Sequence, residues 1–203
     1  MIPRTFHRIW LGGNEPAEFA AFGASWLKHH PGWTMQTLTD PAALGAFQNA
    51  DLLDRCRNHA QRSDVLRYEL LWLYGGVYLD TDFECLKNIE PLLADASFVG
   101  AGERVGILSA GFIAATPQHP LVARCRAMLR DRVGLTGTQA KLTGPGLITD
   151  AWKEFLADPS ILTYGPELFY PYPWTEKHRR HEEFPDAYAV HHWAGSWLCS
   201  KPH

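Results

Sequence analysis

The sequence has few cysteines, no long apolar run and no excess of positive charge. Its four cysteines are widely spaced and form no Cys-x-x-Cys pair, which argues against a zinc knuckle or a dithiol redox motif. We predict that they are reduced structural thiols, since free cysteine is among the most buried residue types. The formal net charge is -3 over 203 residues. The chain therefore lacks the basic surface that neutralises phosphates, and nucleic acid is not an expected partner.

The sequence also shows no segment of the kind that enters a membrane. No apolar run approaches the roughly 20 residues that a helix needs to cross a bilayer. The first residues, MIPRTFH, do not follow the charged-then-apolar order of a signal peptide. We therefore expect no membrane span and a cytoplasmic location. Walker, Gly-x-Gly-x-x-Gly and serine-triad patterns are absent as well, which sets aside ATP hydrolysis, Rossmann-type cofactors and acyl transfer.

Composition and length favour one globular domain. Apolar residues make up 46% of the chain and charged residues 20%, which is the balance of an ordinary folded protein. A chain of this length buries a sizeable core but rarely divides into two large domains. We expect residues 1–203 to form a single domain.

Local patterns predict an alternation of strands and helices. The predicted elements are, in order, strand 6–11, helix 17–30, strand 33–38, helix 60–74, strand 77–82, strand 111–115 and helices that begin near residues 117 and 143. The helix over 60–74 ends at Gly75 and Gly76, because glycine adopts at low cost the positive φ that terminates helices. This order of elements predicts an α/β fold.

Asp80 and Asp82 end the strand predicted over residues 77–82. On a regular strand, two residues separated by one other face the same side, so both carboxylates could bind one cation. Mg²⁺ and Mn²⁺ prefer such oxygen ligands and often bind one or two carboxylates together with substrate phosphates. An isolated Asp-x-Asp pair also occurs by chance at solvated strand ends, so its meaning depends on the residues around it.

Three segments of the chain resemble the motifs of one enzyme family. They are IPRTFHRIWLG at residues 2–12, RSDVLRYELLWLYGGVYLDTDFE at 62–84 and HHWAGSW at 191–197. The segments are similar to glycosyltransferase family 32, whose members carry a DXD sugar-binding region and include yeast-type mannosyltransferases. The large glucosylating bacterial toxins share the pattern. The resemblance implies a GT-A fold, with a mixed central sheet flanked by helices. It also implies a divalent metal, Mn²⁺ or Mg²⁺, a nucleotide-diphosphate sugar as donor, a glycan or other hydroxyl acceptor, and transfer with retention of the anomeric configuration.

The resemblance also implies roles for individual residues. Asp82 corresponds to a direct metal ligand, and Asp80 to the carboxylate that contacts the donor ribose and sugar beside the metal. Asp64 corresponds to a residue that binds sugar hydroxyls, and Arg67 to one that reaches the sugar or the phosphate. The expected catalytic set is Asp64, Arg67 and Asp80. Without the resemblance, Asp64 could cap its helix and pair with Arg67 on the surface.

Trp10 and the last motif complete the expected site. By resemblance Trp10 stacks on the nucleobase of a UDP- or GDP-sugar, although a core tryptophan is the alternative. His192 corresponds to a metal ligand, and its neighbour His191 competes for that role, since strand alternation sends the two side chains to opposite faces. Ser196 and Trp197 correspond to donor-phosphate contacts, or else belong to an aromatic tail packed on the core.

One position departs from the family pattern. Many relatives carry asparagine where Ala110 precedes Gly111, and alanine cannot hydrogen-bond a sugar, so we expect fewer donor contacts from this strand unless Ser109 compensates. This departure leaves open a non-catalytic module that binds a nucleotide sugar or glycan. A further alternative, an aspartyl-phosphate phosphatase, has the pattern Asp-x-Asp-x-Thr, but Glu84 stands at its last position.

Overall fold

The structure, a computed structural model, describes residues 1–195 of the chain. Its strands are β1 (Thr5–Ile9), β2 (Thr34–Leu38), β3 (Gly76–Leu79), β4 (Phe83–Cys85), β5 (Phe98–Arg104), β6 (Ile107–Ala115), β7 (Ile161–Tyr164) and β8 (Ala189–His191). Its α-helices are α1 (Ala17–His29), α2 (His59–Tyr74), α3 (Glu90–Leu93), α4 (Pro120–Arg132), α5 (Gln139–Leu142) and α6 (Pro145–Trp152). Short 3₁₀ helices span Pro41–Leu44, Ala50–Arg55, Lys153–Phe155, Pro166–Leu168 and Trp174–His181.

The largest sheet is mixed and has six strands in the order β2-β1-β3-β6-β5-β7. Strands β1, β2 and β3 run parallel, β6 is antiparallel to both of its neighbours, and β7 is parallel to β5. All strands except β6 therefore point the same way, and the carboxyl ends of β1 and β3 lie side by side. Ligands of open α/β sheets bind at this edge. Strands β4 and β8 form a second, antiparallel pair.

Each face of the large sheet carries its own hydrophobic core. Helices α2, α4 and α6 pack on one face, with Leu66 and Leu129 fully buried between them. Helix α1 covers part of the other face, where the ring centroid of Phe6 lies 5.2 Å from that of Trp26. Helix α2 is buried on most sides, including at charged residues such as Asp64 and Arg67. Charged groups in such a position need partners, because burying an unpaired charge is costly.

Gly75 and Gly76 connect α2 directly to β3. Both adopt positive φ, 62° and 94° respectively. A Cβ atom on Gly76 would lie 2.5 Å from the carbonyl oxygen of Thr5, and one on Gly75 would lie 2.6 Å from Cδ of Pro117. Both the backbone conformation and the close contacts require glycine. The predicted end of the helix is therefore confirmed.

The strand predicted over residues 77–82 ends earlier than expected, at Leu79. The N–H of Asp80 donates to the carbonyl of Gly111 at 2.9 Å, and the N–H of Phe83 donates to the carbonyl of Asp80 at 3.2 Å. The second bond closes a turn, so Asp80 and Asp82 follow the strand and do not belong to it. Strand alternation is therefore not what brings the two carboxylates together.

The other predicted elements are present with shifted ends, and the strands β4, β5, β7 and β8 are additional to them. Among these, β5 is the longest. Its Gly100 and Gly102 weaken the pattern from which strands are predicted. Among the helices of residues 1–195, none combines the length and apolarity that crossing a bilayer demands.

Candidate active site

The two aspartates lie at the carboxyl end of β3, each fixed by a hydrogen bond. The hydroxyl of Tyr78 donates to Oδ1 of Asp80 at 2.8 Å. The backbone N–H of Ala194 donates to Oδ2 of Asp82 at 2.8 Å. One carboxylate is therefore held by its own strand and the other by the C-terminal part of the chain. The side chain of Asp82 is 13% exposed, whereas that of Asp80 is 30% exposed.

His191 completes a group of three possible metal ligands. Its position is set by β8, where His191 pairs with Phe83 of β4 immediately after the aspartate turn. Nε2 of His191 lies 3.1 Å from Oδ1 of Asp82 and 3.7 Å from Oδ2 of Asp80. One ligand atom from each of the three residues can be chosen so that all lie within 4.8 Å of one another. We call Asp80, Asp82 and His191 the acidic triad.

Neighbouring charges outweigh burial in setting the pKa values of the acidic triad. Burial alone would lower the pKa of His191, but Asp82 and Asp80 outweigh it and raise that pKa to about 9. Burial would raise the pKa of Asp80, but Arg67 and His191 hold it well below its usual range. The pKa of Asp82 is likewise lowered, by His191 against the effect of burial. The carboxylates are therefore ionised, with positive charge beside them supplied by His191 and Arg67.

The possible ligand atoms of the acidic triad suit a divalent cation. Neither ring nitrogen of His191 forms a hydrogen bond of acceptable geometry with a residue that the structure describes, yet Nε2 is directed at both carboxylates. Two carboxylates and one imidazole form a mixed oxygen and nitrogen set of the kind that divalent metals accept.

His192, for which the sequence predicted the metal role, lies apart from the aspartates. Its Nε2 donates to Oε2 of Glu84 at 2.9 Å, and its ring stacks on Phe22 with centroids 4.5 Å apart. The two histidines follow one another on an extended segment, so their side chains leave opposite faces. The structure thus brings His191, and not His192, to Asp80 and Asp82.

Arg67 places a positive charge beside the acidic triad. Its Nη2 lies 2.8 Å from Oδ1 of Asp64 and 3.5 Å from Oδ1 of Asp80. Its Nη1 donates to the carbonyl of Ala110 at 2.6 Å, and its guanidinium lies 4.7 Å from the ring centroid of Tyr78. These contacts hold the guanidinium in one place at the edge of the sheet.

Asp64 is enclosed by protein groups. Besides Arg67, the hydroxyl of Thr143 donates to its Oδ2 at 2.6 Å, and the amide of Gln139 donates to the same oxygen at 2.9 Å. Burial raises the pKa of Asp64 despite these donors. Asn58, not Asp64, caps the helix, since its side chain accepts a bond from the N–H of Gln61.

Trp10 follows β1 and is half-buried at the same edge of the sheet. Its indole N–H donates to the carbonyl of Gly13 at 3.1 Å, and its ring meets Phe19 edge-on with centroids 5.5 Å apart. The parallel pairing of β1 with β3 therefore places Trp10 on the side where Asp80 emerges. Ser196 and Trp197, also predicted for the site, lie outside the described residues.

Sequence reasoning missed Gly111 and Tyr170, two residues that support the site. A Cβ atom on Gly111 would lie 2.7 Å from Oδ2 of Asp80, so glycine at this position makes room for the carboxylate. Ser109 accepts hydrogen bonds from the hydroxyl of Tyr170 and from the N–H of Gly111, while the side chain of Ala110 faces the core. The available signal was a glycine in the middle of a strand, which often marks a close approach.

Part of the chain matches a known protein family. Residues 16–99 match a family described as glycosyltransferase sugar-binding region containing DXD motif. Over these residues, the predicted resemblance to glycosyltransferases with a DXD sugar-binding region is confirmed.

Individual relatives are glycosyltransferases with longer chains. The chain is 34% identical over 131 residues to inositol phosphoceramide mannosyltransferase 1 of Schizosaccharomyces pombe, covering 60% of this chain and 40% of that protein. It is 33% identical over 151 residues to lactosylceramide 4-alpha-galactosyltransferase of Homo sapiens, covering 64% of this chain and 40% of that protein. The chain thus spans about 40% of the length of each of these two relatives.

Solved structures show the fold. The PaToxG glycosyltransferase superposes with a TM-score of 0.63 at 18% identity, over 76% of this chain and 70% of that one. The galactosyltransferase LgtC, solved with donor and acceptor sugar analogs, superposes with a TM-score of 0.54 at 10% identity, over 97% and 90%. The predicted GT-A fold is confirmed.

Proposed function

We propose that this chain is a retaining, metal-dependent glycosyltransferase that moves a sugar from a UDP- or GDP-sugar to a hydroxyl acceptor. The observation that carries the proposal is the convergence of Asp80, Asp82 and His191 beside the buried guanidinium of Arg67. The names of the relatives, a mannosyltransferase and a galactosyltransferase, support sugar transfer. We further propose that residues 1–203 act as one glycosyltransferase domain.

The acidic triad is the proposed metal site. Asp82 and His191 would be direct ligands, and Asp80 would contact both the cation and the donor. Mn²⁺ or Mg²⁺, when bound there, would neutralise negative charge on the diphosphate. His191 takes the place in this proposal that the sequence motif suggested for His192.

Arg67 has the proposed role of stabilising charge on the departing diphosphate. Its contacts with Asp64, Ala110 and Tyr78 fix the guanidinium before any substrate arrives. A charge that needs no reorganisation stabilises a transition state more effectively than a mobile one. Asp64 would act mainly by orienting Arg67, because its own oxygens already accept bonds from Thr143 and Gln139.

Trp10 is the proposed nucleobase contact. Its ring lies at the sheet edge where β1 ends, and the bond from its indole N–H to Gly13 holds the ring in place. A flat apolar ring fixed in this way offers a surface for stacking. The motif roles of Ser196 and Trp197 toward the donor phosphate remain part of the proposal.

The first test is a thermal-shift screen of UDP- and GDP-sugars with and without Mn²⁺. A ligand that binds only the folded chain raises the midpoint by mass action. We expect a shift with one class of donor, and only when the metal is present.

The second test measures sugar transfer by Asp82→Asn with the donor found in the screen. Loss of a charged group that stabilises the transition state lowers kcat by about 100-fold or more. Glu84→Gln is the matched control, since Glu84 lies two residues away and contacts His192, outside the acidic triad. Transfer by Asp82→Asn at the wild-type rate contradicts the metal role. Donor binding without transfer to any of a broad panel of acceptors instead indicates the non-catalytic binding module.

A further inference from the structure

Arg8, on β1, is a buried arginine that the site described so far does not use. It is 4% exposed. Its Nη2 donates to the carbonyl of Phe19 at 2.8 Å and to the carbonyl of Thr81 at 3.2 Å, and it forms an ion pair with Glu15. A buried charge is retained only where its partners satisfy it, so this set of acceptors defines what Arg8 does.

The acceptors of Arg8 come from two parts of the candidate site. Thr81 is the residue between Asp80 and Asp82, and its carbonyl belongs to the turn that orients both carboxylates. Glu15 and Phe19 belong to the loop and helix that follow Trp10. The guanidinium of Arg8 therefore connects the turn that carries the two aspartates to the loop and helix that follow Trp10.

Helix α1 makes room for this guanidinium. Gly23 lies inside α1, where glycine is a poor helix former. A Cβ atom on Gly23 would lie 2.2 Å from Nη1 of Arg8 and 3.0 Å from its Cζ. Any larger residue at this position displaces the guanidinium, so the unfavourable glycine is explained by the space that Arg8 occupies.

We propose that Arg8 is a positioning residue for the acidic triad, acting through the carbonyl of Thr81. Its hydrogen bond sets the direction in which Asp80 and Asp82 leave the turn, and its bonds to Glu15 and Phe19 keep the Trp10 loop beside them. Arg8 itself does not touch the cation or the donor. The inference rests on the proposed function, because it assigns Arg8 a role toward that same metal and donor site.

Gly23→Ala gives the sharpest test, since it changes no charged or hydrogen-bonding group and improves helix propensity. Mn²⁺ affinity is measured by electron paramagnetic resonance titration of the full chain, at a temperature where circular dichroism shows wild type and variant to be folded. Removing a group that orients a metal ligand typically weakens binding by about 10- to 100-fold. We expect a loss in that range for Gly23→Ala.

Direct substitutions of Arg8 complete the series. Arg8→Met removes the charge and the donors, and we expect it to weaken Mn²⁺ at least as much as Gly23→Ala. Arg8→Lys keeps the charge but lacks the planar fork that reaches several acceptors at once, so its affinity falls between wild type and Arg8→Met. Arg4→Met is the control, because Arg4 pairs with Glu90 on the surface and its side chain is 64% exposed.

The outcomes separate the two proposals. Wild-type binding of Mn²⁺ together with unchanged affinity in Gly23→Ala and Arg8→Met overturns the role of Arg8 while leaving the proposed function intact. Equal affinity of Arg8→Lys and wild type overturns the hydrogen-bonding role. A wild-type chain that binds neither Mn²⁺ nor a nucleotide sugar overturns the proposed function and the inference with it. In the donor assay, we expect the variants of Arg8 to raise the KM for donor more than they lower kcat.

Discussion

The candidate site joins two segments of very different construction. The central segment, residues 59–82, is one helix, a glycine pair and one strand, and it supplies Asp64, Arg67, Asp80 and Asp82. The C-terminal segment, residues 165–195, consists of 3₁₀ turns, loops and the three-residue strand β8, and it supplies His191. The first places its side chains through regular local structure. The second places His191 through the backbone pairing of β8 with β4.

The difference lies in how each segment is held. In the central segment, Arg67 is enclosed by carboxylates, a carbonyl and an aromatic ring, which lie on its own helix and on neighbouring elements. In the C-terminal segment, the N–H of His192 donates to the carbonyl of Asp82 at 3.0 Å, and that of Ala194 donates to the Asp82 carboxylate. Both segments contribute to the core, but the C-terminal segment is also hydrogen-bonded to Asp82 at the site itself.

The largest expected effect belongs to the central segment. Arg67→Met removes the only charge that pairs directly with Asp64 among the described ion pairs, and leaves that carboxylate buried. Breaking a buried pair in this way costs about 3 to 5 kcal/mol of unfolding free energy. Urea unfolding followed by circular dichroism measures the loss.

Arg124→Met is the surface counterpart of Arg67→Met. Arg124 pairs with Glu154, and both side chains are more than 40% exposed. An exposed pair contributes about 0 to 1 kcal/mol, so this variant is expected to unfold near the wild-type midpoint. Equal losses in the two variants would mean that Arg67 is not the buried anchor of the central segment.

The next effect separates the two neighbouring histidines of the C-terminal segment. We expect His191→Ala to weaken Mn²⁺ binding by up to about 100-fold, the upper end of losses for groups that support a metal site. His192→Ala loses its bond to Glu84 and is expected to keep Mn²⁺ affinity within a few-fold of wild type. Paramagnetic resonance titration of both variants decides between them, and a larger loss in His192→Ala would restore the role that the sequence motif suggested.

The smallest expected effect on stability concerns the hydrogen bond that Thr143, outside the central segment, donates to Asp64. Thr143→Val keeps the shape of the side chain but removes the hydrogen bond to Oδ2 of Asp64. A hydrogen bond to a charged group contributes about 1.5 to 3 kcal/mol, and here Gln139 still donates to the same oxygen, so we expect a loss near 1.5 kcal/mol. Urea unfolding measures it. A loss above that of Arg67→Met would show that α5, and not Arg67, chiefly stabilises Asp64.

Prediction from sequence succeeded where the pattern is local. Helix α2 was expected over residues 60–74 and spans His59–Tyr74. The prediction succeeded because the apolar spacing and the glycine pair that ends the helix depend only on residues close together in the chain. The association of Asp64, Arg67 and Asp80 in one site was also expected, from the resemblance to the family. Gly111 was not singled out, since the need for glycine there arises from the carboxylate of Asp80, which follows the neighbouring strand β3.

The amino-acid sequence by itself determined the α/β class, the helix that carries Asp64 and Arg67, and the presence of a strand directly before or at the two aspartates. Each of these depends on residues close together in the chain. Only the tertiary structure decided that the aspartates lie on a turn, that His191 and not His192 faces them, and that Arg8 reaches Thr81. The contact of Arg8 with Thr81 joins positions 73 residues apart. The contact of His191 with Asp82 joins positions that are still further apart in the chain. Hydrogen bonds over such separations depend on how strands pair and helices pack, which no local pattern records.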